Sequence, residues 1–566
     1  MITNLLRFSL YFAASLFVLL LTSDAHAARI QVDLTPLDGN NICGTPGFHD
    51  ERLDALKKGP PRPLTKDEKI KRGYLTAEGV AAAPPIVGDT KSFRVLDDGG
   101  WITVLAELRN ITTEAYVYVQ IADRNADRVF FDGATGYITQ ADVDSVATEF
   151  TSIYTTNRST FGNEIATGID GDAHVTILLL DIDSDYADYV DHGDEWWLES
   201  WTAGYFYSID MYPKGTYAGS NESKVIYIDT YPTIEHGSYD FGPPGVMDAV
   251  PTTTHDNDVG GILLNEGAEA SYATIAHEFE HMIHYNHDPN EETWVDEGCA
   301  GFAQFINGYG HPAAVASFVS NPTDSLISWG RSIVDYGNTY LFMLYLYEQK
   351  GGTVMSDVVS EAANGTQGVE NSLGGTITYV QLFKDWTVAN YFDDAGMAAE
   401  YGYTNITMSS YSLGGGRAGI DPELDSGLGT VGAYAAEYQS IAYDSMPNLI
   451  FCSHVFAPIV VGLNGVTVVS GSIEELTPGV NAELTNFGGA GPESYSDIVL
   501  IAANTSTATA GYSYDLSDVA LPGCPTSSSS DGGLVCFIAT AAYDAPHEKK
   551  SYNAILDAIL KIIYIK

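Results

Sequence analysis

The residues best able to do chemistry in this chain are His277, Glu278 and His281, in the run His277-Glu278-Phe279-Glu280-His281. Side chains four apart share one face of a helix, so two imidazoles at this spacing can grip one metal ion. Zinc suits the pair, because it accepts nitrogen and carboxylate ligands and brings no redox chemistry. Glu278 stands beside them and can take a proton from a water activated there. The pattern points to zinc-assisted hydrolysis, with the peptide bond as the bond cut.

Two histidines do not complete such a site, since a catalytic zinc takes three protein ligands and keeps an open position. His287 lies six residues after His281, the metzincin spacing, but that pattern needs glycine at the sharp turn, where this chain has His284. The other candidate is Glu297, in Glu292-Thr293-Trp294-Val295-Asp296-Glu297-Gly298. Fifteen residues separate it from His281, room for a loop and the start of a second helix. A carboxylate from such a helix makes a His₂Glu set, and the missing glycine favours Glu297 over His287.

These residues need a helix to carry them. Tyr272, Ile275, Phe279 and Met282 recur on one apolar face, with Ser271 as the expected N-cap and His284 and His287 at the far end, placed to meet the terminal carbonyls. Upstream, 101–106, 115–119, 174–180 and 224–229 read as strands, the third nearly all apolar and so buried. Apolar positions at 143, 146, 150 and 153 predict a helix over 142–154. Further helices are expected to about 400, including 339–349. After about 405 the chain is rich in Gly, Ser and Thr, with short strands such as 449–461 and 496–504. Residues 28–90 are polar and Pro-rich with little periodicity, and read as a pro-segment or a linker.

The segment His277-Glu278-Phe279-Glu280-His281-Met282-Ile283, followed by Trp294-Val295-Asp296-Glu297-Gly298, resembles the secreted bacterial hyicolysin-type metallopeptidases, which are gluzincins. Asp170-Gly171-Asp172 and Gly204-Tyr205-Phe206 extend the resemblance over about 91–400. It implies an α+β, gluzincin-like metallopeptidase domain, β-rich in its N-terminal part and helical in its C-terminal part. It also implies His277, His281 and Glu297 as ligands and Glu278 as the base. Asp296 stands where the family tends to have Asn. Gluzincins often use a downstream Tyr or His to stabilise the oxyanion, and Tyr336 is the candidate here.

The rest of the chain sets the context. Its 566 residues carry 74 acidic against 26 basic side chains, a net charge of −48 that would repel nucleic acid and anionic lipid. Residues 1–27 read as a signal peptide, with Arg7, an apolar stretch 8–21 and Ala25-His26-Ala27. The expected order is then 28–90 pro-segment or linker, 91–400 metallopeptidase domain, 401–522 small all-β sandwich, 523–533 Ser/Gly linker and 534–566 tail. The tail run Cys536-Phe537-Ile538-Ala539-Thr540-Ala541-Ala542-Tyr543 resembles a box found at the C-terminus of many exported bacterial proteins, which implies sorting or surface attachment. Asp181, Asp183 and Asp185 resemble the start of a calcium loop, although Tyr186 and His192 break the EF-hand pattern. Five cysteines give no pairing. Cys43, ahead of the expected enzyme domain, is a candidate thiolate for the open zinc position. The chain therefore reads as a secreted zinc endopeptidase acting on proteins or peptides. A non-catalytic surface adhesion protein and a metzincin-type peptidase using His287 are the competing readings. Glu278 separates the first competitor, since a binder needs no base beside two ligands.

Overall fold

The computed structural model describes residues 40–515 apart from 98–99, 122–137, 183–188, 192–195, 231–233, 235–266, 409–425, 443–447, 465–466, 476–478 and 486–496, and positions 82, 199, 397, 454 and 457. The signal peptide, the Ser/Gly linker, the tail and most of the calcium-like loop lie outside these residues. Among the described residues no helix is long and apolar enough to cross a membrane.

The chain is a mixed α+β protein. In chain order come β1 (Asn40–Cys43), α1 (His49–Lys57), α2 (Lys66–Lys71), β2 (Thr90–Asp97), β3 (Gly100–Ile111), β4 (Ala115–Gln120), α3 (Gln140–Phe161), β5 (Val175–Leu180), β6 (Tyr189–Asp191), β7 (Trp196–Leu198), β8 (Ser200–Phe206) and β9 (Val225–Asp229). Helices follow: α4 (Tyr272–His287), α5 (Thr293–Ile306), α6 (Ala314–Ser320), α7 (Ile333–Lys350), α8 (Val354–Ser360), α9 (Gly365–Ser372) and α10 (Tyr379–Phe392). Seven strands form one sheet in the order β1-β8-β9-β5-β4-β3-β2. The pairs β1/β8, β4/β5 and β5/β9 are parallel and the others antiparallel. The strands β6 and β7 make a separate hairpin.

Strand periodicity decides what each sheet face covers. Val117, Val119, Ile177, Leu179, Ile226 and Ile228 point to the helices and share a core with Phe150 of α3 and Ile275, Phe279 and Met282 of α4. The alternate residues Tyr116, Tyr118, Leu178, Leu180, Tyr205 and Tyr227 point the other way and pack with Phe48 and Ala55. Both faces of β5 are therefore covered, which explains its nearly continuous apolar run. The helix expected over 142–154 is longer, because Thr139 and Asp142 form a capping box that starts it at Gln140.

Two sequence expectations are corrected. Residues 28–90 are not featureless where described: β1, α1 and α2 lie there, α1 packed on the sheet core through Ala55 and α2 started by a capping box between Thr65 and Glu68. The run 449–461 is two strands, β12 and β13, which join different sheets. The strands concerned are β10 (Ser426–Val431), β11 (Ala435–Ala442), β12 (Asn448–Ser453), β13 (Ile459–Asn464), β14 (Thr467–Glu475), β15 (Gly479–Thr485), β16 (Asp497–Asn504) and β17 (Ala510–Asp515). They form two four-stranded sheets, β10-β17-β12-β15 and β11-β16-β13-β14. The second sheet shares the helical core through Tyr438, Val461 and Ile501. The Tyr438 hydroxyl donates to the Thr387 carbonyl of α10 at 3.1 Å.

Candidate metal centre

α4 carries the two histidines and α5 the carboxylates opposite them. Ser271 does precede α4, as the sequence suggests, but its hydroxyl donates back to the Ala268 carbonyl at 2.7 Å and makes no cap bond. A 3₁₀ turn over Gly267–Ser271 leads into the helix instead. The Phe279 ring meets Phe150 edge-on at 5.2 Å, and Asn157 of α3 donates to the Ala276 carbonyl at 2.8 Å. These contacts fix the rotation of α4, so its other face turns toward α5. The close approach of α5 to α7 needs Gly298, since a Cβ there would stand 2.8 Å from Met343 Cγ and 3.0 Å from the Thr339 carbonyl oxygen. The residue after Glu297 is thus a packing requirement for placing Glu297.

The result is a convergence of donor atoms. His277 Nε2 lies 3.2 Å from Glu297 Oε2, His281 Nε2 lies 3.2 Å from Glu297 Oε1, and Cys43 Sγ lies 3.4 Å from His281 Nε2. The ligand atoms of Cys43, His277, His281 and Glu297 all fall within 4.8 Å of one another. Zinc bonds of about 2.0–2.1 Å set tetrahedral edges of about 3.4 Å, so the spacing of the N and O donors fits such an ion. Oε1 of Glu297 is buried and makes no hydrogen bond, as expected of an atom reserved for a metal.

Behind the donors stand residues the sequence reading did not assign. Asp296 Oδ1 is 2.8 Å from His281 Nδ1, and its other oxygen accepts from Arg52 at 2.7 Å. The Gln304 amide stands 3.1 Å from His277 Nδ1. Partners of this kind fix the orientation of ligating imidazoles. Gln304 follows Glu297 by seven residues on one helix face, a spacing that could have revealed it. Arg52 gave no sequence signal.

Glu278 is fully buried. Its Oε2 accepts from the Thr45 hydroxyl at 2.9 Å, and its Oε1 makes no hydrogen bond. Burial raises its carboxyl above the ordinary range, against the lowering effect of the neighbouring histidines. Burial also opposes charge on His281, but Asp296 and Glu297 overcome it and hold that imidazole well above its usual value. The Tyr336 hydroxyl, from the first turn of α7, donates to the backbone carbonyl of Cys43 at 3.2 Å. Burial raises its phenol well above the ordinary value, and the nearby Glu297, Cys43 and Glu278 add to this.

His287 stands apart. It is exposed at the last residue of α4, beside Gly162, and belongs to none of the metal-capable clusters among the described residues. His284 does lie in the last turn of α4, as expected, but its side chain turns inward to acids instead of to the terminal carbonyls. It is buried, with Nδ1 at 3.4 Å from Glu280 and 3.6 Å from Asp296. Burial lowers its basicity, but Glu280 outweighs this and raises it to about 9. Cys43 and Cys299 carry free buried thiols. Of the calcium-like loop, Asp183 and Asp185 lie outside the described residues.

No family model matches the chain. Over 299 residues the chain is 25% identical to the neutral metalloprotease ShpI of Staphylococcus hyicus. The match covers 48% of this chain and 58% of that protein, so the chain spans little more than half the length of its relative.

Proposed function

We propose that this chain is an exported zinc endopeptidase of the gluzincin kind, with His277, His281 and Glu297 as zinc ligands and Glu278 as general base. The observation that carries the reading is the meeting of these three donors beside a buried carboxylate oxygen without a hydrogen bond. The similarity to a neutral metalloprotease supports it.

Bound zinc would supply a Lewis acid that acidifies water and polarises a carbonyl. The chain's own residues do the rest. Glu278 Oε1 accepts the proton of the attacking water, and the same carboxyl hands it to the leaving amine. Its burial, which raises its pKa, suits both halves of that task. Asp296 holds the His281 ring in place through Nδ1, and Gln304 does the same for His277. The Tyr336 hydroxyl already reaches a peptide carbonyl beside the donors, so it can donate to the oxyanion of a bound substrate. In this reading residues 1–27 direct export, 91–400 form the peptidase domain, 401–522 an all-β domain, and the tail serves sorting.

Casein cleavage by the purified chain, with and without a chelator, tests the proposal. Cleavage is expected to stop with chelator and return with zinc, to be lost in Glu278→Gln and to persist in His287→Ala. Full cleavage by Glu278→Gln would remove the proposed base.

A further inference from the structure

The donor cluster contains one more atom than a catalytic zinc site takes from its protein, and that atom is Cys43 Sγ. We propose that Cys43 is a fourth, displaceable metal ligand and that residues 40–57 form an intramolecular inhibitor seated in the substrate cleft. The proposal rests on the zinc site described above and concerns its regulation.

The segment engages the sheet edge, the donor cluster, Glu278 and Tyr336 together. Among the described residues β1 is the edge strand of the seven-stranded sheet and pairs only with β8, with Cys43 opposite Gly204. The Gly44 N–H continues the pairing to the Gly204 carbonyl at 2.9 Å. An extended substrate would be expected on that same edge, because an exposed strand supplies main-chain partners to a peptide. The Cys43 carbonyl takes the Tyr336 hydroxyl at 3.2 Å, so the proposed oxyanion donor is occupied. The Thr45 hydroxyl donates to Glu278 at 2.9 Å and accepts the Phe206 N–H at 2.8 Å, so the proposed base is held too. Cys43 Sγ stands 3.4 Å from His281 Nε2. As a ligand it loses its thiol proton to solvent and takes the place that water needs.

Other contacts lock the segment down. The Phe48 ring packs 4.8 Å from Tyr207 and 5.5 Å from Tyr205. Arg331 donates to the Pro46 carbonyl at 3.1 Å, and Tyr207 to Glu51 at 2.8 Å. Arg52, only 8% exposed, pairs with Asp296 at 2.7 Å, the carboxylate that also orients His281. A thiol that merely filled space would not need its neighbours to engage the base, the oxyanion donor and a ligand's positioning residue together.

The connection from this segment to β2 is the opposite in character. Val80 is 63% exposed, Ile86 65% and Val87 56%. Exposed backbone on such a connection is open to proteolytic attack. Hydrolysis of one peptide bond there, consuming one water, makes the inhibitor a separate chain. Its local concentration then falls to its bulk value, and it can leave. Departure frees the β8 edge, Glu278, Tyr336 and the metal position at once.

The test uses the full chain loaded with Co²⁺ in place of zinc. A sulfur-to-cobalt charge-transfer band in the near ultraviolet is expected, absent in Cys43→Ser and present in Cys299→Ala. With zinc, Cys43→Ser and Arg52→Ala should each raise casein cleavage about tenfold or more over the uncut chain. Arg52→Ala keeps the thiol, so it tests the seat independently of any folding defect in Cys43→Ser. One equivalent of cobalt bound without the band overturns the inhibitor while leaving the metal site standing. Failure to bind cobalt in any variant overturns the metal site and the inhibitor with it. Unchanged cleavage in both zinc variants, with chelator-sensitive activity already high in the parent, also refutes the inhibitor alone.

Discussion

Asp296 shows how much a single carboxylate does in this site. One oxygen meets His281 and the other holds Arg52, so Asp296 links the proposed metal site to the N-terminal segment. Burial opposes its ionisation, yet His281 and Arg52 keep its carboxyl well below the ordinary range. Asp296→Ala should weaken zinc binding by about 10–100-fold, the usual effect of losing a ligand's orienting partner. Competition with a zinc-binding dye checks this, and unchanged affinity would deny Asp296 that role. The ligand candidates were legible in the sequence because helix spacing is a local rule: His277 and His281 are one turn apart, and Glu297 lies on the next helix. Cys43 could be named from the sequence as a candidate for the open zinc position, but its geometry could not. It reaches His281 across 238 positions, and no pattern along the chain encodes that meeting.

At the scale of elements, the strand before the turn at Tyr207 is held by close approach and by a buried acid. A Cβ on Gly204 would stand 2.7 Å from the Tyr227 carbonyl oxygen and 3.3 Å from Glu278 Cγ. Gly204→Ala should therefore cost about 1–3 kcal/mol of stability in urea unfolding, and an unchanged midpoint would contradict so tight a contact. Asp210, in the turn after β8, accepts hydrogen bonds from Tyr227 and the Asn221 N–H. Burial raises its carboxyl to about 7, more than these bonds lower it. Between about pH 4 and 7 the folded protein keeps a proton there that the unfolded chain has released. Its stabilising contribution is complete below that window and fades as pH rises through 7. Asp210→Asn should flatten the fall in stability between about pH 4 and 7, and an identical fall in both proteins would clear Asp210 of it. Strands and helices with a marked period were readable at this scale. Where 449–461 runs apolar through two sheets, burial on each side hides the boundary that Pro458 marks. The helix α1 escaped notice because contact with the sheet, not its own amphipathicity, holds it, whereas α2 carried a local signal, the capping box of Thr65 and Glu68, in a stretch too short to show a period.

At the scale of the molecule, the proposed metal site joins parts that are distant in the chain: β1, α4 and α5 around the donors, with α7 adding Tyr336. An ion that binds only the folded chain stabilises it by mass action, about 4 kcal/mol at a thousandfold excess over the dissociation constant. Chelation should lower the melting temperature by several degrees, and Glu297→Ala should melt low with or without chelator. A net charge of −48 makes the folded chain self-repelling, so these comparisons belong at one fixed ionic strength. The central claim is that His277, His281 and Glu297 hold one zinc ion with Glu278 free to act beside it. Zinc measured per purified chain in Glu278→Gln and Glu297→Ala tests it most directly. The account predicts one zinc in the first and almost none in the second. Full zinc in Glu297→Ala would contradict it.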